Sequence, residues 1–498
     1  MSIELSLILT LLIPLLAAWA NMIFRNHENL RDGATFIASI LLFGVVVNLL
    51  RQHAVSPDIS VELLSVMPGL TITLSAEPLG LLFATIASGL WIITHIFGVG
   101  YMRGNNEEHH TRFFTSFSLA IFATMGIAFS ANMFTLFIFY ELLTVSTYPL
   151  VAHKQTMDAK KGARTYLGIL MGTSIGFLLV AIIWTWHLTG TLDFVKGGIL
   201  EGKIEGPLVA VLLALYVFGI GKAAIMPFHR WLPAAMVAPT PVSALLHAVA
   251  VVKAGVFTML KVGIYIFGID FLSTTGASEW LIWLASASIL IASLIAMTKD
   301  NLKARLAYST ISQLSYITLG MALATSMGAL GGGMHIAMHA MGKITLFMCA
   351  GSIYVATQKT KVSEMTGLGR VMPFTFIAFF IGALSIIGLP PLGGSWGKWL
   401  LIVGAADAGQ QVAIAVLMIS SLLNVAYLLP IVGKGFFLAN PEPKPAAVGS
   451  AISPKSKIAE APLMVVLPPV LTAIGCLLLF FYAGHIQEFL MPIVTSGK

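Results

Sequence analysis

Apolar runs close to twenty residues long follow one another along the whole chain, separated by short polar connections. About twenty residues is the length an α-helix needs to cross roughly 30 Å of hydrocarbon. Fourteen such spans can be marked, at about 3–23, 33–50, 78–100, 113–130, 132–152, 165–187, 207–226, 240–266, 279–298, 306–325, 329–356, 373–402, 411–436 and 462–483. The pattern predicts an all-α polytopic membrane protein. It excludes a transmembrane barrel, whose strands would appear as short alternating segments. The first span ends in "LLAAWA", as a secretory signal does, but Glu4 precedes it and Arg25 and Arg31 follow it. That charge order predicts a retained helix with its N-terminus outside.

Composition agrees. The chain has 498 residues, of which 57% are hydrophobic and 10% charged; soluble domains carry roughly a quarter charged residues. The net charge of +7 does not mark a nucleic-acid surface, because the basic residues lie in short connections. With the N-terminus outside, the cytoplasmic connections hold most of them, including Arg25, Arg31, Arg103, Arg112, Lys154, Lys160, Lys161 and Arg164. The opposite side holds Arg51, Lys196, Lys203 and Lys498. This asymmetry supports both the orientation and the span count, and it puts both termini outside a bacterial plasma membrane. Cys349 and Cys476 fall in apolar segments and point to neither a disulfide framework nor a thiolate metal site. No phosphate loop, dinucleotide fingerprint or Cys cluster occurs, so no nucleotide, flavin or iron–sulfur cofactor is expected.

Two spans are interrupted. "GIGKAAIMPFHRWLPAAMVAPTP" (219–241) carries four prolines, and "SIIGLPPLGGSWGKWLL" (385–401) carries Pro390, Pro391, Gly393 and Gly394. Proline frees backbone carbonyls, which a bilayer tolerates only where the backbone is covered by protein or lines a wet cavity. Breaks at corresponding places in two halves point to a pseudo-symmetric transporter with two half-channels. A lysine stands beside each break, Lys222 and Lys398.

Ionisable residues inside spans cost at least about 2.5–3.5 kcal/mol each and are usually functional. Glu141, in "FYELLTVSTYPL", is the one acid well inside a span; Lys222, Lys253, Lys261, Lys343 and Lys398 are the bases. Each has a bland alternative. Glu141 would otherwise be a structural lock for a lysine, and Lys261, near the outer end, is expected to snorkel to water. His335, His339 and Lys343 are spaced i, i+4, i+8 and form one polar stripe. The HxxxH pair fits a metal poorly, with a lysine at the next turn and no carboxylate nearby, so no metal site is expected. Imidazoles titrate near neutrality and suit proton relay. His247 precedes Lys253 by six residues and points to another face; it is either water-linked to that lysine or a satisfied core histidine. Burial lowers a lysine's basicity and a nearby carboxylate restores it, so Glu141 is a candidate electrostatic control for a proton carrier at Lys222.

The segments "FYELLTVSTYPLVAHKQT", "GKAAIMPFHRWLPAAMVAPTPVSALLHAVAVVKAG", "HIAMHAMGKITLFMCAG" and "GLPPLGGSWGKW" resemble the antiporter-like subunits shared by respiratory complex I (NADH:quinone oxidoreductase), membrane-bound hydrogenases and Mrp-type cation/proton antiporters. The resemblance covers nearly the whole chain. It implies fourteen helices with two inverted five-helix repeats, each with a broken helix. It divides the chain into N-terminal helices (1–112), a first repeat (113–266), a second repeat (279–436), a flexible cytoplasmic linker (437–461) and a C-terminal helix and tail (462–498). It implies that the family's glutamate corresponds to Glu141, its first broken-helix lysine to Lys222 and its central lysine to Lys253. The histidine-bearing helix then supplies His335, His339 and Lys343, and the terminal lysine is Lys398.

Length and residue pattern are most similar to the D-type subunits of Mrp Na⁺/H⁺ antiporters, which work in hetero-oligomers with other membrane subunits. One complex I member has a glutamate where this chain has Lys398, and the largest carries a lateral helix for which the chain is too short. The alternatives are a proton-pumping subunit of a complex I-like or hydrogenase-like oxidoreductase, a scaffold that conducts nothing, and a stand-alone solute carrier. No redox chemistry is expected in the chain itself.

Overall fold

The computed structural model describes residues 2–55, 60–438 and 458–495; positions 439–457 of the expected linker lie outside the described residues. The helices follow the predicted spans closely. They are α1 (Ile3–Ile23), α2 (Glu28–His53), α3 (Pro78–Gly104), α4 (His110–Ala128), α5 (Met133–Val151), α6 (Met157–Thr189), α7 (Pro207–Gly219) and α8 (Thr240–Phe267). They continue as α9 (Glu279–Thr298), α10 (Leu302–Ala322), α11 (Ser326–Thr357), α12 (Pro373–Ile387), α13 (Gly394–Asp407), α14 (Gln411–Phe437), α15 (Leu463–Phe481) and α16 (Ala483–Leu490). Eleven of the described helices are long and apolar enough to cross a membrane. The three expected spans outside that set are informative: two are broken, and the third, α10, carries buried Ser309, Ser312, Gln313 and Ser315 along its length.

The molecule is inverted relative to a soluble protein. Leu16, Trp19, Ile183, Leu294 and Leu422 are exposed, as lipid-facing side chains must be, while lysines and histidines lie inside.

Both breaks satisfy their own backbone. After α7 ends, a short turn Gly221–Ala223 leads to Ala224, which has a left-handed φ of 53°. The Tyr140 hydroxyl accepts from the Lys222 backbone nitrogen at 3.1 Å, and the Trp231 indole donates to the Gly221 carbonyl at 2.9 Å. Between α12 and α13, Gly388 has φ 89°, and the Gly393 nitrogen donates to the Cys476 carbonyl at 3.0 Å. Side chains and neighbouring helices thus replace the water the bilayer lacks.

Helix α8 passes directly against the first break. A Cβ on Gly255 would overlap the backbone of Lys222 and Ala223. Gly255→Val is therefore expected to push the break off its seat. Overpacking a tight site costs about 1–3 kcal/mol, so the variant complex should melt lower in detergent than wild type, and an unchanged melting temperature would show that this contact is loose.

One element went unpredicted. Residues Ser60–Met67 (β1) and Leu70–Ser75 (β2) form an antiparallel hairpin where a plain connection was expected. Its inner strand is stitched to the α4–α5 loop: Ser75 N donates to Phe129 O at 2.7 Å, and Ala131 N to Thr73 O at 3.0 Å. The α6–α7 connection joins in, with Phe194 N donating to Ala131 O at 3.1 Å.

Lys261 also departs from expectation. It does not snorkel: it is 1% exposed and its Nζ pairs with Glu77 Oε1 at 2.6 Å. Glu77 sits just before α3, close enough in space to reach the end of α8, a proximity that spacing along the chain does not reveal.

Candidate functional site

The first break presents Lys222 to α5. The side chain is fully buried. Its Nζ donates to the Tyr140 carbonyl at 2.8 Å and to Thr144 Oγ1 at 2.6 Å, and it lies 3.2 Å from the centroid of the Tyr140 ring. A desolvated ammonium is held here by dipoles and a π face rather than by an anion. Glu141 is the next residue after Tyr140, and no ion pair among the described residues joins it to Lys222. Both of its carboxylate oxygens are buried and have no hydrogen-bond partner among the described residues. Glu141 thus lies one residue along α5 from the Tyr140 carbonyl that holds Lys222, without pairing to the ammonium. A carboxylate in that setting is poised to take a proton, water or another cation.

A second group begins on α8. The Lys253 Nζ lies 2.5 Å from His339 Nδ1 on α11. The His339 and His335 rings stack with centroids 5.9 Å apart, and His335 stacks on Tyr316 at 5.6 Å. His335 Nε2 is 3.0 Å from Gln313 Oε1, which makes Nε2 the donor when the amide is oriented in this way. Beyond Tyr316 comes Lys398, whose Nζ is 5.0 Å from the tyrosine ring centroid. Lys398 donates to the Ile387 carbonyl at 2.9 Å and to Ser421 Oγ at 3.0 Å. Its ammonium therefore caps the C-terminal end of α12, where the helix dipole favours a cation. A cavity of about 650 Å³ lined by Gly388, Pro390, Trp396, Lys398 and Ser421 opens beside it. Lys253, His339, His335, Tyr316 and Lys398 form one continuous row.

Two expected members stand apart from that row. Lys343 turns to α10 and donates to Ser309 Oγ at 2.6 Å, and the Tyr427 hydroxyl donates to the same oxygen at 2.8 Å. Tyr427 also contacts Asn424 Oδ1, so Lys343 heads a polar branch of its own. His247 lies in a π-helical turn, 4.4 Å from the Phe347 ring centroid, and neither ring nitrogen has a partner among the described residues. Buried polar atoms left so usually bind water.

The structure adds residues that motif reading passed over: Tyr140, Thr144, Ser309, Gln313, Tyr316 and Tyr427. All are neutral. The available signal was the run of polar residues on α10, too polar for a lipid-facing span and therefore a lining. None of the described residues form a His/Cys/Asp/Glu cluster able to hold a metal ion.

Residues 130–424 match the family profile described as "NADH:quinone oxidoreductase/Mrp antiporter, TM". The chain is 31% identical over 421 residues to NADH-quinone oxidoreductase subunit N of Desulforudis audaxviator, covering 80% of this chain and 81% of that one. It is 30% identical over 382 residues to the A/B subunit of a probable K(+)/H(+) antiporter of Rhizobium meliloti, covering 74% of this chain but 37% of that protein. Its fold overlays a chain of the Mrp complex from Dietzia sp. DQ12-45-1b with a TM-score of 0.87 at 22% identity, over 99% of this chain and 97% of the other.

Proposed function

The chain belongs to the NADH:quinone oxidoreductase/Mrp antiporter membrane family, and from that membership we propose that it is the proton-translocating subunit of a multisubunit monovalent cation/proton antiporter. Na⁺ is the working counter-ion, and the role is that of a D-type Mrp subunit. The row from Lys253 to Lys398 carries this reading: titratable groups and aromatic rings follow one another through the bundle, each pair within reach of a small side-chain movement or one water. Proton passage needs such a series of groups whose charge is cheap to move, because a fixed charge in hydrocarbon is not. Lys222 and Glu141 supply the input side, with the carboxylate biasing the ammonium from a distance. The hairpin end faces outward, following the Lys/Arg asymmetry. The subunit sits in a bacterial plasma membrane with other membrane subunits as partners.

A second reading has its own support. The identity to an NADH-quinone oxidoreductase subunit favours a proton-pumping role in an electron-transfer complex, which would use the same row. A non-conducting scaffold would have no use for Lys222, Lys253, Lys343 and Lys398 held in the protein interior.

Everted vesicles carrying the chain with its neighbouring subunits separate these. An imposed pH gradient is expected to collapse on adding Na⁺, and assembled Glu141→Ala to lose most of that response. Acidification driven by an electron donor, with no response to Na⁺, would transfer the row to a redox pump. Wild-type behaviour of the assembled variant in both assays would make Glu141 structural.

A further inference from the structure

Lys261 is a buried lysine that the row does not use. It stands eight residues beyond Lys253 on α8, about 12 Å further along the axis at helical rise. Its Nζ pairs with Glu77 at 2.6 Å and donates to the Ser130 carbonyl at 2.8 Å, inside the stitched loops of the hairpin end. The rings of Phe194, Phe257 and Tyr265 surround it at 4.0, 5.5 and 5.7 Å. The two members differ in access: the Lys261 side chain is 1% exposed and that of Glu77 18%. One is sealed and the other reaches the edge of the protein. A π-helical stretch, Val262–Phe267, begins at the next residue, and such stretches recur at functional sites.

Building on the proton-translocation reading above, we propose that Lys261 and Glu77 form the exchange pair through which protons cross between the buried row and the hairpin side, outward in a redox pump and by the reverse steps in Na⁺/H⁺ antiport. At rest Lys261 is an ammonium and Glu77 a carboxylate. Release moves one proton from Nζ to the Glu77 oxygen, leaving a neutral amine and a neutral carboxylic acid, so no unpaired charge stays behind. Glu77 then loses that proton to water at its exposed side. The amine takes the next proton from the Lys253 side through water, and the ion pair is restored. Tyr265 is the other titratable group against the pair: it is buried and hydrogen-bonds Glu77. The competing account is a static clamp between the end of α8 and the start of α3.

Lys261→Arg keeps cation and ion pair, but a guanidinium does not give up its proton in a protein. Glu77→Gln keeps the shape without the charge. In the intact multisubunit complex both are expected to assemble and to lower cation-driven proton movement at least tenfold. Wild-type rates in Lys261→Arg, or failure of both variants to assemble, would make the pair a clamp and overturn the proposal. A second readout needs no transport. A hydrophobic carbodiimide adds to a carboxyl only when it is protonated, so mass spectrometry should find Glu77 labelled in the wild type and not in Lys261→Arg. Absence of label in wild type also overturns the exchange pair. A wild-type complex that labels Glu77 yet moves no protons with Na⁺ or an electron donor sinks the transport reading and leaves proton exchange within the pair standing.

Discussion

Lys222→Met is expected to reduce cation-driven proton movement by roughly a hundredfold or more, the lower bound for losing a positioned proton-transfer group, in a complex that assembles and melts no lower than wild type. The two halves of this result have separate causes. Activity falls because the buried titratable side chain of the first break is gone. Stability holds because the lysine gains no anion in return for its burial: its partners are a carbonyl, a hydroxyl and a ring. Taking an ammonium out of water costs several kcal/mol even after relaxation, and methionine of similar length removes that cost. It leaves the Tyr140 carbonyl paired, since Thr144 Oγ1 already donates to it at 3.3 Å, and it breaks no direct ion pair with Glu141. Vesicle transport and native-gel assembly of the same preparation check both halves. A variant that transports normally removes Lys222 from the path; one that fails to assemble makes it a structural post for the break.

The spans were legible because hydropathy reports what lipid demands, and most of α1, α2, α14 and α15 faces outward from the bundle. The site was legible where charge is rare: Glu141, Lys222, Lys253 and Lys398 stand out against an apolar background. Geometry was legible only in part. The stripe His335, His339, Lys343 advances 400° per step of four residues, so each member turns 40° from the last. The two histidines remain close enough to stack, while Lys343, 80° round, reaches α10 and Ser309 instead. Tyr140, Gln313 and Tyr316 carry no charge and follow no spacing rule, so only the packing of α5 and α10 against their lysines and histidines reveals them. The hairpin had a local signal, Pro68-Gly69 between two half-alternating runs, but long apolar neighbours on either side outweigh six or eight residues of strand. The Lys261–Glu77 pair joins positions too far apart in sequence for any periodicity to connect.

Lys253→Met should stop transport as completely as Lys222→Met but with a smaller gain in stability. Here the lysine's partner is another ionisable side chain. His339 Nδ1 faces the Lys253 Nζ at 2.5 Å, and His339 Nε2 has no partner among the described residues. Removing the amine leaves a buried imidazole with both nitrogens unsatisfied, which costs about 1–3 kcal/mol, against the desolvation relieved by losing the lysine. The expected result is a complex that melts below Lys222→Met. Adding His339→Leu removes the orphaned ring and should raise the melting temperature of the double variant above that of Lys253→Met, while transport stays absent. The non-additivity is the measurement that matters, because residues in contact couple by about 0.5–3 kcal/mol on the general scale of such pairs, whereas two unrelated core residues would add. If the double variant melts lower than Lys253→Met by the full cost of His339→Leu alone, the two side chains are energetically independent. The row would then lack its first link, and protons would have to reach His335 by another route.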